Sequence, residues 1–229
     1  AFIDVLSVYG FRPEFVAFTG PYNKFFANDD QKVEHWNRLC AALQQRASNV
    51  FLEQTNEYNN GPNLGIPYDR LQPCVGVLTS NGSGIKDSLP RQPYGNYATY
   101  HSGSGPEWMR KAAHNGMEDV ANQARIPVWV NEVVRSPDQD NISQHFYDAA
   151  AGCALLQAGC TFHSVNGKRS ALFDATELQN AMAWVAGAKS VPLSCQDGGY
   201  RHRTDLEDNG ILRAYQRGAD DVCIVLIHK

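Results

Sequence analysis

The sequence predicts an α/β fold of the (β/α)8-barrel type, and three observations carry that expectation. Short apolar runs alternate with helical patterns along most of the 229 residues, the signature of a parallel sheet with right-handed crossovers. Polar or charged residues recur at the C-terminal ends of those runs (Glu57, Ser80, His101, Glu132 and Asn166), the end where a barrel gathers its functional groups. A phosphate-cradling loop is missing: Gly82-Ser83-Gly84 lacks the GxGxxG spacing and no strong helix follows it, which weighs against an open nucleotide-binding sheet.

Taken in order, residues 2–9 carry apolar positions at helical spacing and read as the end of a helix stopped by Gly10. Phe15-Val16-Ala17-Phe18 is a strand closed by Thr19, Gly20 and Pro21. Asp29-Asp30 caps a helix whose core face is Val33, Trp36, Leu39, Cys40 and Leu43. The apolar start of Val50-Phe51-Leu52-Glu53-Gln54-Thr55-Asn56-Glu57 is a buried strand. A turn-rich segment follows, and residues 74–78 read as another short buried strand. Residues 79–93 are rich in Gly, Ser, Asn and Pro and read as a loop; residues 97–101 form a strand ending in Ser102-Gly103. Pro106 opens a helix with Met109, Ala112, Ala113, Met117 and Val120 on its core face.

Ile126-Pro127 leads into Val128-Trp129-Val130-Asn131-Glu132, an apolar run ending in a carboxylate. A helix with Ile142, Phe146, Ala149, Ala150, Cys153 and Leu156 inward comes next, then a strand at 161–165. Asp174 and Glu177 resemble a capping box, Leu178, Met182 and Val185 form that helix's buried stripe, and Gly187 ends it. Beyond Pro192 the texture changes: residues 210–215 and 222–227 read as two strands of a β-hairpin. The expected organisation is a barrel domain over 1–190 and the start of a β-strand accessory domain over 191–229.

Composition narrows the function. Twenty basic residues against 24 acidic ones leave a net charge of −4, with no basic block, so a nucleic-acid partner is not expected. No apolar run approaches the ~20 residues of a membrane span. The six cysteines show neither CxxC nor Cys/His metal spacing, so no metal or cofactor is expected; buried thiols or one or two disulfides both fit. The N-terminus carries no signal-peptide pattern, localisation stays open, and secretion would need a signal peptide in the full-length protein. Oligomeric state is not legible.

Two strands that both end in Asn-Glu make a pair of candidate acid/base carboxylates. Phe51-Leu52-Glu53-Gln54-Thr55-Asn56-Glu57 and Pro127-Val128-Trp129-Val130-Asn131-Glu132 together resemble the acid/base and nucleophile strands of the retaining (β/α)8-barrel glycoside hydrolases that include cellulases and β-mannanases. The resemblance spans about residues 2–187. It implies an incomplete barrel holding strands 3 to 8, with Glu57 ending strand 4 and Glu132 ending strand 7. Strands 1 and 2 have no counterpart, so the expectation is a fragment cut in helix 2 and again inside a C-terminal β-domain. The run Phe162-His163-Ser164-Val165 departs from the family, which usually ends strand 8 in an aromatic residue.

The implied chemistry is hydrolysis of β-glycosidic bonds in an oligo- or polysaccharide by double displacement. Two carboxyl groups about 5–5.5 Å apart would carry it. Glu132 would attack the anomeric carbon; Glu57 would protonate the leaving oxygen and then activate water; Asn56 would donate to the sugar 2-hydroxyl. An ionised neighbour and partial burial would both raise the pKa of Glu57. Tyr100 and His101 fall where strand 6 approaches the nucleophile, and His163, Asn166 and Arg169 sit at the mouth after strand 8, where an ordinary solvated loop is the competing reading. Tyr58, Tyr94, Tyr97 and Trp108 could stack on sugar rings or serve as packing anchors, and Arg135 could hold Glu132 ionised. Glu53 shares parity with Glu57 and, buried, must be paired; a structural role outranks a catalytic one. The alternative function is a non-catalytic carbohydrate-binding or scaffold barrel. A metal-dependent hydrolase ranks third, because no HxH pair ends an early strand.

Overall fold

The computed structural model describes residues 2–8, 12–85, 88–101, 125–131, 143–155, 159–162, 175–191, 201–202, 212–217 and 221–226. The chain divides into two compact units, Ala1–Tyr100 with Gln123–Pro127, and His101–Asn122 with Val128–Lys229.

In the first unit the order is α1 (Phe2–Val8), β1 (Glu14–Phe18), α2 (Asp29–Gln44), β2 (Phe51–Thr55), β3 (Leu78–Ser80) and β4 (Ala98–Tyr100), with short 3-10 turns between. β1, β2 and β3 form a parallel sheet in which Leu52 is opposite Phe15 on one side and Thr79 on the other. The helix α2 starts one residue earlier than Asp29-Asp30 suggest. Asn28 is the cap, its Oδ1 accepting the Gln31 N–H, while Gln31 Oε1 accepts the Ala27 N–H; Asp29 and Asp30 occupy the first turn, where the helix dipole favours them. Trp36, Cys40 and Leu43 then lie one turn apart, and they bury against Phe18, Val50 and Leu52. A Cys40–Cys74 disulfide (Cα–Cα 5.4 Å) and a Trp36 Nε1–H donated to Gln72 O at 2.7 Å fasten the segment after β2 onto this helix. Arg46 grips Asp4 through two nitrogens at 2.7 and 3.1 Å, joining α1 to the end of α2.

The second unit contains β5 (Val128–Val130), α3 (Ser143–Leu155), β6 (Gly159–Cys160), α4 (Ala175–Ser190) and the strands β7 (Arg201–His202), β8 (Leu212–Arg217) and β9 (Asp221–Leu226). β5 and β6 pair in parallel, and the last three strands form an antiparallel sheet, which matches the expected hairpin. Cys153 and Cys160 form a second disulfide. Phe162 packs between Phe146 and Trp184, with centroids at 5.3 and 6.0 Å.

Several expectations are corrected. The expected (β/α)8 barrel is not formed: the nine strands among the described residues fall into three separate three-stranded sheets rather than one ring, and a barrel exists only when the sheet closes on itself. Between β2 and β3, where a turn-rich segment is expected, the chain makes 3-10 turns at Gly61–Asn63 and Tyr68–Arg70. The strand expected at 74–78 begins at Leu78, because Cys74 is held by its disulfide and Val75-Gly76 turn. Of the strand expected at 161–165, Thr161 and Phe162 follow the short strand Gly159–Cys160 without being part of it, and 163–165 lie outside the described residues. In α4 the stripe Leu178, Met182 and Val185 is 56, 65 and 48% exposed. Asn180, Gly187 and, just beyond the helix, Val191 are buried instead, and Gly187 does not end the helix. It is the point of closest approach to α3: a side-chain carbon there would sit 1.9 Å from the Tyr147 carbonyl oxygen. Small residues face the neighbouring helix because two backbones meet. The helix expected at Pro106, and the Asp174–Glu177 box, lie outside the described residues.

Gly187→Ala sets two effects against each other. Helix propensity alone favours alanine by about 1 kcal/mol, whereas overpacking against a backbone carbonyl costs about 1–3 kcal/mol. A net loss of stability is expected in thermal or urea unfolding; a more stable variant would contradict the close helix contact.

Candidate functional site

The site grows out of β2. Alternation along the strand sends Leu52 and Gln54 to the side of α2, and Glu53 and Thr55 to the opposite face; all four are buried. The ladder continues one step past the strand, with the Asn56 N–H donated to Phe18 O at 3.0 Å. The chain then turns at Glu57, whose φ is +50°. A left-handed backbone costs a side-chain-bearing residue about 1–2 kcal/mol and persists only where neighbours over-determine it.

Those neighbours are identifiable. Buried Asn63 donates through Nδ2 to both Asn56 O (2.7 Å) and Glu57 O (3.0 Å), while its Oδ1 accepts from Asn23 Nδ2 at 2.5 Å. The Glu57 N–H is donated to Ser83 Oγ at 3.1 Å, and the Tyr58 N–H to Ser83 O at 3.0 Å. Asn60 Nδ2 donates to Glu57 Oε2 at 2.9 Å. The half-buried Glu57 carboxyl is thus aimed by its backbone on one side and by an amide on the other.

Ser83 is in turn positioned by Glu53. That carboxylate is wholly buried, and its Oε1 accepts the Ser83 N–H and the Thr99 Oγ1–H, both at 2.7 Å. Ser80 Oγ bonds Thr99 Oγ1 at 2.8 Å. With Thr99 donating to Glu53, Ser80 is the donor in that bond. Glu53 therefore serves as a structural acceptor joining β2, β4 and the loop after β3. Gly82 lets that loop approach: its φ is +128°, and a side-chain carbon there would stand 2.6 Å from Thr55 O. Asn59 Oδ1 adds a further tie, accepting the Ile85 N–H at 2.7 Å.

The expected site residues fare differently. Asn56 and Glu57 are adjacent at the strand end, as described. Tyr100 ends β4 in the interior, 1% exposed. His101 follows it in the second unit and is also buried. Glu132, His163, Asn166 and Arg169, together with Trp108 and Arg135, lie outside the described residues; Asn131, just before Glu132, is buried. Tyr97 is a packing anchor: it is buried against Phe51, and its hydroxyl donates to Glu14 at 2.8 Å. Burial pushes the Tyr97 phenol well above its usual pKa, and the Glu14 and Glu53 carboxylates push it further. Among the described residues no cluster of three or more His, Cys, Asp or Glu could hold a metal ion, and no helix is long and apolar enough to cross a membrane.

Asn63, Asn60, Ser83 and Thr99 are positioning residues that the sequence reading did not single out. The run Asn59-Asn60-Gly61-Pro62-Asn63 held a signal, since an amide that becomes buried in such a turn must satisfy its donors on nearby backbone. A cavity of about 650 Å³ lies on the α2 side of the sheet, and Glu57 is not among its lining residues. No family model, curated protein or solved structure matches the chain.

Two outcomes follow. Glu53→Gln keeps the shape but loses a charge-assisted acceptor, so a loss of about 2 kcal/mol is expected in denaturant unfolding; an unchanged midpoint would show that the network does not bear on stability. The raised pKa of Tyr97 means its share of stability is complete below the unfolded tyrosine value of about 10 and declines as pH rises above it. Tyr97→Phe should flatten the alkaline limb of a stability–pH curve, and an unaltered limb would exclude that assignment.

Proposed function

We propose that the chain is a glycoside hydrolase that cleaves β-glycosidic bonds of an oligo- or polysaccharide with retention. Glu57 is the acid/base, Glu132 the nucleophile, and Asn56 the partner of the sugar 2-hydroxyl. The observation that carries the reading is the left-handed Glu57 at the end of β2, constrained by Ser83, Asn60 and Asn63. Strain held this firmly at a carboxyl-bearing residue is a mark of functional positioning. Glu132 enters from its matching Asn-Glu sequence, and Tyr100, His101, His163, Asn166 and Arg169 from theirs, as substrate-contact residues.

In this reading the two carboxyl oxygens of Glu57 take different parts. Asn60 donates to Oε2, so delivery of a proton to the leaving oxygen falls to Oε1, and the same oxygen later takes the proton of the incoming water. An amide held on Oε2 also keeps the carboxyl from rotating between the two steps. The nucleophile must be ionised when the acid is protonated, so the two carboxyls have to titrate apart.

The test uses the whole chain on aryl β-glycosides and β-glycans. Glu57→Gln should lower kcat by about 10²–10⁴-fold, with a smaller loss for aryl leaving groups that need no proton. Glu132→Ala should abolish turnover, and a 2-deoxy-2-fluoroglycoside should label Glu132 covalently, as located by peptide mass spectrometry. Sugar binding without turnover in the unmutated chain, or full turnover in Glu132→Ala, would overturn the reading.

A further inference from the structure

Arg91 is a cation for which the described residues supply no carboxylate. Its guanidinium carbon stands 3.9 Å above the centre of the Tyr68 ring, and Nη1 donates to Gln54 Oε1 at 3.1 Å. Its backbone N–H is donated to Gly82 O at 2.9 Å, which fixes where the side chain starts. Burial lowers its pKa, and the groups that offset this are the Tyr68 and Tyr58 phenols, which are neutral at ordinary pH. A stacked ring and an amide oxygen orient a guanidinium without neutralising it. A half-buried charge held this way keeps an unmet demand for an anion.

The demand faces a cavity. Arg91, Tyr68 and Gln54 all line the space of about 650 Å³ on the α2 side of the sheet, within the range of about 300–1,000 Å³ usual for small-ligand sites. Trp36, Leu71 and Val77 give it an apolar wall. Gln54 is 5% exposed; because its carbonyl points to Arg91, its NH2 remains as a second donor. Pro93 and Asn96 line the side beyond Arg91. A planar fork of N–H donors beside an apolar wall selects a planar, singly charged head with an apolar body.

We propose that this cavity binds a small organic carboxylate, its carboxylate paired with the Arg91 guanidinium and the Gln54 amide, and its body against Trp36 and Leu71. The site is separate from Glu57, which does not line the cavity, and it does not depend on glycosidase activity.

The experiment is calorimetric titration of the whole chain with acetate, glucuronate and phenylacetate, and with the neutral phenylacetamide. At least one carboxylate should bind saturably at millimolar concentration, phenylacetate more tightly than acetate, and phenylacetamide should not bind. Arg91→Gln should weaken phenylacetate by about tenfold or more, the loss of one charge-assisted pair. Arg91→Lys, which keeps the charge but not the fork, should also bind more weakly and covers the case in which the glutamine variant does not fold. Binding of none of the three carboxylates, equal binding of the amide, or undiminished binding by Arg91→Lys would overturn the proposal.

Discussion

Glu53 sits at the centre of the first unit with no access to water, and one of its oxygens accepts both a backbone N–H from Ser83 and the hydroxyl of Thr99. Removing a carboxylate from water is costly unless donors replace the lost hydration. Here the donors come from chain segments 30 and 46 residues away, so satisfying the charge requires the loop after β3 and the strand β4 to arrive together. Once Ser83 is there, its hydroxyl accepts the Glu57 N–H and its carbonyl the Tyr58 N–H. The unusual backbone of Glu57 is thus a downstream result of how a buried charge four residues earlier is accommodated.

The same strand separates two chemistries by parity alone. On one face, Glu53 meets a backbone and a hydroxyl donor; on the other, Leu52 joins the apolar core and Gln54 reaches Arg91. The partner of a half-buried cation, Gln54, and a fully buried anion, Glu53, are thus neighbours along β2, and the pleat points their side chains apart. The chain after β3 serves both, presenting Ser83 to one face and Arg91 to the other, with the Arg91 N–H tied back to Gly82.

What the sequence made legible follows the range of the interactions involved. β1, β2, α2 and the C-terminal hairpin are set by apolar periodicity within a dozen or so residues, and all four form, with Asn28 rather than Asp29-Asp30 capping α2 and strand ends shifted by up to two residues. Closure of a sheet is decided by register between distant strands, which no local pattern contains, and that is where the barrel expectation failed. The α4 stripe was misassigned for a different reason: Leu178 and Met182 carry more hydrophobicity than Asn180 and Gly187, but only glycine at 187 permits the two helix backbones to touch, and Asn180 is buried where it accepts from Ser143. Within the site, the Asn-Glu pattern pointed to Glu57 directly. Ser83 could not be found that way, because it matters only through partners 26 and 30 residues off; Asn63 was nearer, and was hidden by looking like turn sequence.

The Cys40–Cys74 disulfide encloses β2, Glu57 and the whole asparagine-rich turn within a single covalent loop. That turn is the longest stretch of the first unit without regular strand or α-helix between the two cysteines, and so a natural place for a protease to cut. A single cleavage there would not release either half. The nicked chain would keep its mass under non-reducing conditions, hold Asn56-Glu57 and Asn63 on tethered ends, and come apart only when the sulfurs were reduced. Backbone continuity and covalent integrity are therefore separable properties of this segment, with the redox state of its surroundings deciding whether one survives the loss of the other.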